Sequence, residues 1–414
     1  MKTLIFCRTS ALTSNAGGPS GYLFHLHDGL HATAKEGPSP AFIEAVDNTA
    51  SARQFARPLR NDWRARLSRL FRRAQSHLYL ATGFPPTLNP LHYRRKPVPT
   101  ACLAALSRCD LVHVHNTQDA DRLHLLRKAG LWQGRIVLSS HSPEAPALEI
   151  VYRRRPKGYA ACYFSRMQAD LLRRDLEAFR NADAWIFPSA HALEPYLETL
   201  PGFAELLREK LVRFVPTGIR RPGVPAPEAI ARRRLAGGAE LQVCYVGRHN
   251  SVKGYDLFRD AGLHLLAARP DVRIVCAGAG QIPPPEHPRW HELGYIRDVP
   301  ALLHASDFFI LPNRRTYYDL VLLEALAAGV PALATDTGGN RDVAAETDAV
   351  RLCAPRVDAL RVALLELCAL PREARLAACA AARRGYEAHH TSETFARAYR
   401  AAIADLTLQF ARTP

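Results

Sequence analysis

Long apolar runs are missing from this 414-residue chain. A membrane-spanning helix needs ~20 consecutive apolar residues, and no segment approaches that length. The first apolar run, Leu4-Ile5-Phe6-Cys7, is too short for a signal-peptide core and reads as a first buried strand. The nine cysteines never fall in a C-x-x-C or other metal-type spacing, so neither a zinc module nor a disulfide framework is indicated. Cys7, Cys244 and Cys276 lie inside apolar runs, where buried, reduced thiols of a cytosolic protein are expected. No G-x-x-x-x-G-K-[ST] sequence occurs, which removes a P-loop. Acidic side chains are scarce beside basic ones, 39 Asp and Glu against 55 Lys and Arg, for a net charge of +16. That excess points to an anionic partner, whether nucleotide phosphate, membrane surface, acidic glycan or nucleic acid; charge alone does not choose among them.

What is present is enough apolar material, 48% of the residues, to build the cores of two ordinary domains. Short apolar runs alternate with longer helical patterns. The runs at 3–7, 111–115, 136–139, 184–188, 212–215, 242–246, 273–276, 308–311 and 331–334 are rich in Val, Ile and Leu without polar alternation. That pattern suits parallel strands covered on both faces, and its alternation with helices predicts doubly wound α/β domains. The Pro-, Arg-, Ala- and Gly-rich stretch 220–239 reads as a linker with a short helix. Two Rossmann-like halves are therefore expected, 1–218 and 219–390, with a final helix at 391–414 that either stays with the second half or packs back on the N-terminal one.

The most telling stretch is 308–342. An apolar strand ends at Pro312-Asn313, and a helix is expected from about Thr316, with Leu320, Leu323, Leu326 and Ala327 on one face. Gly329 and Pro331 stop it, and a second apolar run leads to Gly338-Gly339. Thr316-Tyr317-Tyr318-Asp319 has the T-x-x-D form of a capping box. Glu324 stands within an otherwise apolar helix, where a carboxylate needs hydrogen bonds or a ligand; sugar hydroxyls beside a diphosphate at the helix N-terminus would supply both.

Other motifs carry paired readings. Gly17-Gly18-Pro19-Ser20-Gly21 follows the first strand and lets backbone approach a phosphate, or is a plain turn. Arg248 and Lys253, on the loop after the first strand of the second half, can converge on a diphosphate where open sheets place ligands, or form a solvated basic loop. Ala277-Gly278-Ala279-Gly280 lacks the third glycine of a dinucleotide fingerprint and runs into Pro283-Pro284-Pro285, so it reads as a strand-ending turn. His113 and His115 share a strand face with no third metal ligand suggested nearby, and are read as structural. His141 lies on a loop just past a strand end, in reach of a reacting sugar. Residues 53–73 hold eight arginines and one acid around Trp63, Leu67, Leu70 and Phe71. This basic amphipathic helix is built either for anionic lipid or for a solvated surface.

The order of a Gly-Gly loop, an H-x-H strand, an S-H loop, A-D-A-W-I-F-P-S, V-P-T-G-I, V-G-R with K-G, and E-A-L-A-A-G-V-P with T-G-G-N resembles the retaining glycosyltransferases of family 4. The likeness spans nearly the whole chain, is strongest from Cys244 to Asp342 and weakest at 51–99. It implies a GT-B fold, two Rossmann-like doubly wound domains facing each other across a cleft, with the acceptor in the first and the donor in the second. Carried over residue by residue, it implies that Arg248 and Lys253 neutralise the donor diphosphate and that Glu324 holds the nucleotide ribose. Gly17 and Gly18 lie near the donor phosphates, His141 approaches the sugar, and the amides of Leu320 and Val321 meet phosphate. The family's first glutamate is replaced by Thr316 and its usual glycine by Asp319; the donor-sugar contact is therefore open, with a threonine still able to bond a hydroxyl.

The resulting expectation is a metal-independent hexosyltransferase without cofactor. It moves a sugar from a nucleotide-sugar donor to a glycan or lipid-linked acceptor in bacterial surface polysaccharide or glycolipid assembly. It is expected to be cytoplasmic and in peripheral contact with the inner face of an anionic membrane. The rivals are a sugar-nucleotide epimerase or phosphorylase of the same fold, a non-catalytic scaffold, and a basic nucleic-acid-binding protein. A phosphorylase needs a pyridoxal lysine to which nothing here points, and no nucleic-acid recognition motif accompanies the scattered arginines.

Overall fold

The computed structural model describes residues 3–7, 18–37, 41–44, 104–154, 161–238 and 240–412. Gly17 and the basic stretch 53–73 lie outside the described residues. Strands β1 (Thr3–Cys7), β2 (Ala41–Glu44), β3 (Leu111–Val114), β4 (Arg135–Leu138), β5 (Ala184–Phe187) and β6 (Leu211–Phe214) form one sheet in the order β2-β1-β3-β4-β5-β6. Strands β7 (Leu241–Val246), β8 (Val272–Ala277), β9 (Trp290–Glu292), β10 (Phe308–Leu311), β11 (Ala332–Thr335) and β12 (Val350–Cys353) form a second, β12-β11-β10-β7-β8-β9. Its pairs all run parallel, as do those linking β2, β1, β3, β4 and β5 in the first. The main helices are α1 (Gly18–Ala32), α2 (Thr117–Lys128), α3 (Pro146–Arg154), α4 (Ala161–Asn181), α5 (Tyr255–Ala268), α6 (Leu320–Ala327), α7 (Val357–Cys368) and α8 (Ser392–Arg412).

The chain divides into two compact units. One holds Met1–Leu12, Pro40–Ile186 and Tyr196–Arg213; the other holds Thr13–Ser39, Phe187–Pro195 and Phe214–Pro414. In the first, β3 and β5 are buried along their whole length, as apolar strands covered on both faces must be. Asp175 on α4 ties the surrounding helices together: it accepts from the Thr117 hydroxyl on α2 and from the Ala147 amide on α3, both at 2.7 Å. Burial raises its carboxyl to about 7, against the opposing pull of these hydrogen bonds.

In the second unit the core is built by Val243, Tyr245, Ile274, Phe308, Ile310 and Leu333 from the strands and Phe258, Leu265, Leu360 and Leu364 from α5 and α7. Cys244 and Cys276 are free and fully buried there, as expected from their apolar runs. Gln242 interrupts β7 yet is fully buried. Its amide oxygen accepts from the Leu235 and Ala236 N–H groups, and its nitrogen donates to the Arg233 carbonyl and the Ser306 hydroxyl. A buried amide satisfied on both sides thus fastens the end of the 220–239 stretch to the sheet. That stretch forms a helix, Pro227–Arg233, with proline in its first turn, where the missing N–H costs nothing.

Helix α8 packs along α1. Tyr22 and Phe395 meet edge to face at 5.0 Å. Arg400 donates to the Thr33 hydroxyl and the Leu30 carbonyl, and Arg397 forms a two-pronged pair with Glu36 at 2.7 and 2.9 Å. The helices touch at Gly29: a Cβ there would lie 1.9 Å from the Ser392 carbonyl oxygen. Gly29→Ala should therefore force the helices apart at a cost of about 1–3 kcal/mol, the range for overpacking. A lower melting temperature in thermal unfolding is the expected result, and an unchanged one contradicts the close approach.

Candidate functional site

Within the second unit the strand order reverses between β7 and β10: from β7 the sheet is extended one way by β8 and β9, and from β10 the other way by β11 and β12. Loops leaving the carboxyl ends of two such strands diverge, and open α/β sheets bind ligands in the crevice between them. The loop after β7 carries Arg248 and Lys253; the loop after β10 carries Asn313, Thr316 and Asp319 and leads into α6.

The two loops are joined by backbone and by charge. Gly254 has φ +62°, and a Cβ there would lie 1.7 Å from the Pro312 carbonyl oxygen, so only glycine allows this approach. Arg314 donates its backbone N–H to the Val252 carbonyl and a guanidinium N–H to the Ser251 carbonyl, both at 2.9 Å. The same guanidinium grips Asp256, in the first turn of α5, with two bonds of 2.6 Å. Within the first loop the Asn250 side chain accepts from the Lys253 N–H, and the Tyr245 hydroxyl donates to the Arg248 carbonyl. The Arg248 side chain itself is exposed.

Lys253 and Asp319 form an ion pair, Nζ to Oδ1 at 2.6 Å, with both side chains mostly buried. The other carboxylate oxygen of Asp319 accepts from the Thr316 hydroxyl at 2.8 Å and from the Asn313 amide nitrogen. Burial acts against the charge of Asp319, but the Lys253 ammonium and these hydrogen bonds prevail and hold its carboxyl below the ordinary range. Asn313 was not singled out from the sequence. It is fully buried, and its side-chain oxygen has no hydrogen-bond partner among the described residues.

The expected capping box does not form. Helix α6 begins at Leu320 rather than near Thr316, and Asp319, at its N-cap position, makes no side-chain cap bond. Its carboxylate is drawn instead to Lys253, Thr316 and Asn313, which leaves the N–H groups of Leu320 and Val321 without a side-chain cap. Both residues are part-exposed, so the positive end of the helix is open to an anion. Gly18 opens α1, a helix that touches α6, and is exposed.

Glu324 lies one turn into α6. It is half-buried, and its carboxylate has no hydrogen bond or ion pair with any described residue. Burial raises its pKa to about 7.

His141 belongs to the first unit, after β4. Its Nε2 lies 3.0 Å from Nδ1 of His115, with the rings stacked. His113 on β3 meets the Ser139 hydroxyl at 2.9 Å, and that hydroxyl donates to the Ile186 carbonyl at 2.6 Å, so the His113 nitrogen is the donor. Burial lowers His141 to about 3, and burial with the neighbouring His141 lowers His113 to about 3; both rings are neutral at pH 7. Among the described residues no group of three or more His, Cys, Asp or Glu is arranged to hold a metal ion. A D-x-D spacing does occur, Asp119-Ala120-Asp121, but inside α2. Residues two apart on a helix point away from each other, and Asp119 is engaged by Asn116 and Arg122.

Comparison with known proteins bears on this geometry. Residues 240–369 match the family model of the glycosyl transferases group 1. The mannosylfructose-phosphate synthase of Agrobacterium fabrum is 24% identical over 241 residues, 52% of this chain and 48% of that protein. The chain spans about half the length, or less, of the curated relatives it matches. Sucrose-phosphate synthase from Thermosynechococcus elongatus aligns over the whole of both chains with a TM-score of 0.63 at 19% identity. HepE from Anabaena, solved in complex with UDP, aligns over 98% of this chain and 100% of its own with a TM-score of 0.63 at 14% identity. The fold is therefore GT-B, and the segment that carries the glycosyl transferases group 1 match is the one that contains the β7 and β10 loops.

The raised carboxyl of Glu324 has a consequence for stability. Well below the ordinary value of 4.5, folded and unfolded chains both hold the proton and Glu324 contributes no difference. Between the ordinary carboxyl value and about 7 the unfolded chain ionises first, so the wild type loses stability as pH rises. Glu324→Gln should remove this loss, on the order of 3 kcal/mol at most. Denaturant unfolding should show the variant more stable than wild type at pH 8, with the difference gone about one pH unit below the ordinary carboxyl value; equal stability at both pH values refutes the assignment.

Proposed function

We propose that this protein is a retaining, metal-independent glycosyltransferase that moves a sugar from a nucleotide-sugar donor to a glycan or lipid-linked glycan acceptor. The observation that carries the reading is the meeting, at the switch point of the second sheet, of the loop that bears Arg248 and Lys253 with the loop that leads into the uncapped N-terminus of α6, and the carboxylate of Glu324 one turn further on without a partner among the described residues. A diphosphate suits the first three groups, and a pair of ribose hydroxyls suits the fourth. The UDP bound by HepE and the sugar-phosphate chemistry in the names of the relatives support the same choice of ligand.

In the proposed reaction Arg248, Lys253 and the amides of Leu320 and Val321 stabilise the negative charge that grows on the departing diphosphate. These fixed positive groups do what a metal ion would otherwise do. Gly17 and Gly18 are assigned to the approach of backbone to the donor phosphates. His141, neutral at working pH, is assigned to a hydrogen bond with the sugar as the acceptor hydroxyl attacks on the face the nucleotide leaves, so that configuration is retained. Glycan assembly at the cytoplasmic side of a membrane, with the basic stretch 53–73 drawn to anionic lipid, is the setting in which such an enzyme meets a lipid-linked acceptor.

A thermal-shift screen against UDP, GDP, ADP and their sugars tests the reading. A true ligand at one hundred times its Kd should stabilise by roughly 2.7 kcal/mol. Glu324→Ala should weaken binding of that ligand by about 10- to 100-fold, the loss of charge-assisted hydrogen bonds worth about 1.5–3 kcal/mol. Binding of no nucleotide, or unchanged affinity in the variant, contradicts it.

Arg248→Ala and Lys253→Ala should each lower kcat more than they change the acceptor KM, because their charge opposes one that develops in the transition state. Turnover should persist in EDTA. Wild-type kcat in both variants, or a strict requirement for Mn²⁺ or Mg²⁺, overturns the metal-free scheme.

A further inference from the structure

The ion pair at the mouth of α6 is an unusual element in an anion site. Lys253 is the cation that should draw a diphosphate, yet Asp319 already sits on it at 2.6 Å. A diphosphate presents only acceptor oxygens and is repelled by a carboxylate. A sugar hydroxyl both donates and accepts, and so matches an ammonium and a carboxylate held side by side. The Lys253 ammonium has three N–H donors, of which Asp319 takes one, leaving others for phosphate. The carboxylate is anchored on both oxygens, by Lys253 on one and by Thr316 and Asn313 on the other. Beside it lies the Asn313 side-chain oxygen, fully buried and without a partner among the described residues.

We propose that Asp319 determines which sugar the donor site accepts: its carboxylate, fixed by Lys253, Thr316 and Asn313, receives through the remaining lone pair of Oδ1 a hydrogen bond from a hydroxyl of the transferred sugar. The inference rests on the glycosyltransferase reading and deepens it by dividing the labour within one site. Arg248 and the α6 amides hold the diphosphate, Lys253 spans the diphosphate and the carboxylate, and Asp319 reads the sugar. The position where the resemblance places a sugar-binding glutamate holds Thr316, whose hydroxyl donates to Asp319. The nearest carboxylate is that of Asp319, three positions later, and the threonine orients it.

The variant Asp319→Asn keeps the size of the side chain and removes its charge. Two quantities are measured on wild type and variant: affinity for the free nucleoside diphosphate (UDP, GDP or ADP, whichever the wild type binds) by calorimetry, and kcat/KM across sugar nucleotides that share that base but differ in the sugar. The variant should bind the free diphosphate within about threefold of wild type or more tightly, because a negative charge near the phosphates is gone. Its kcat/KM for the preferred sugar nucleotide should fall about 100-fold, and the preference among sugars should change by tenfold or more. If diphosphate affinity and kcat/KM fall by the same factor with the sugar ranking intact, Asp319 only props Lys253 and the inference is wrong. If kcat/KM is unchanged, Asp319 does not touch the sugar. A wild type that binds no nucleoside diphosphate fails differently: it removes the glycosyltransferase reading, and this inference with it.

Discussion

The parallel pairing of β7 with β10 is the constraint on which the candidate site depends. These strands are far apart in sequence, yet they lie side by side with Phe309 against Cys244 and Ile310 against Tyr245. Because they run the same way, both end at the same edge, and the connections that leave them turn to opposite flanks of the sheet. Everything polar in the site follows from that divergence. Arg314 can reach back to Ser251 and Asp256, and Lys253 can reach Asp319, only because the two loops begin one strand spacing apart. A one-residue slip in this pairing would turn every β10 side chain to the other face and part the loops together with their charges.

A second constraint is the treatment of charge. Acidic groups in the second unit are mostly matched: Asp256 by Arg314, Asp307 by Arg234, Asp298 by Arg233, Asp319 by Lys253. Pairing of this kind is what allows carboxylates near the core, and it also reveals the group left out. Glu324 has no such partner among the described residues, and burial raises its pKa to about 7, where a partner would have lowered it. In the first unit Asp175 is raised to a similar value although it does accept two hydrogen bonds. The shift alone therefore does not distinguish a structural carboxylate from a binding one; the missing partner does.

The central strands and the helix between β10 and β11 could be read directly from the chain, because buried parallel strands are nearly uniform in apolar character and Gly329 ends the helix visibly. The strands that escaped reading are β2, β9 and β12, each at an edge of its sheet. An edge strand has one unpaired side, is short, and tolerates polar side chains such as Arg351, so its pattern is diluted. Of the candidate site the sequence offered a set of charged residues and not their wiring. Arg248, Lys253, Asp319 and Glu324 stood out as charges at strand ends or inside an apolar helix. The bond between Lys253 and Asp319 joins residues 66 positions apart, and no local spacing announces it. The T-x-x-D pattern suggested a capping box that starts the helix near Thr316, because a capping rule considers only neighbours in sequence; a lysine from another loop took the Asp319 carboxylate instead, and the helix starts at Leu320. Asn313, a plain loop residue by sequence, acquires its importance only from burial.

The meeting of α1 with α8 bears on how the chain is made. Ser392 and Asp28, hydrogen-bonded across that contact, are 364 positions apart. Ribosomes add roughly 5–20 residues per second, so α1 emerges roughly 20 to 70 s before its packing partner exists. Throughout that interval Tyr22 and Leu26, buried in the finished protein, have no α8 to cover them. The second unit thus closes only once the α8 segment has been made, and a ribosome stalled before residue 392 leaves α1 with an open apolar flank, suited to capture by a chaperone.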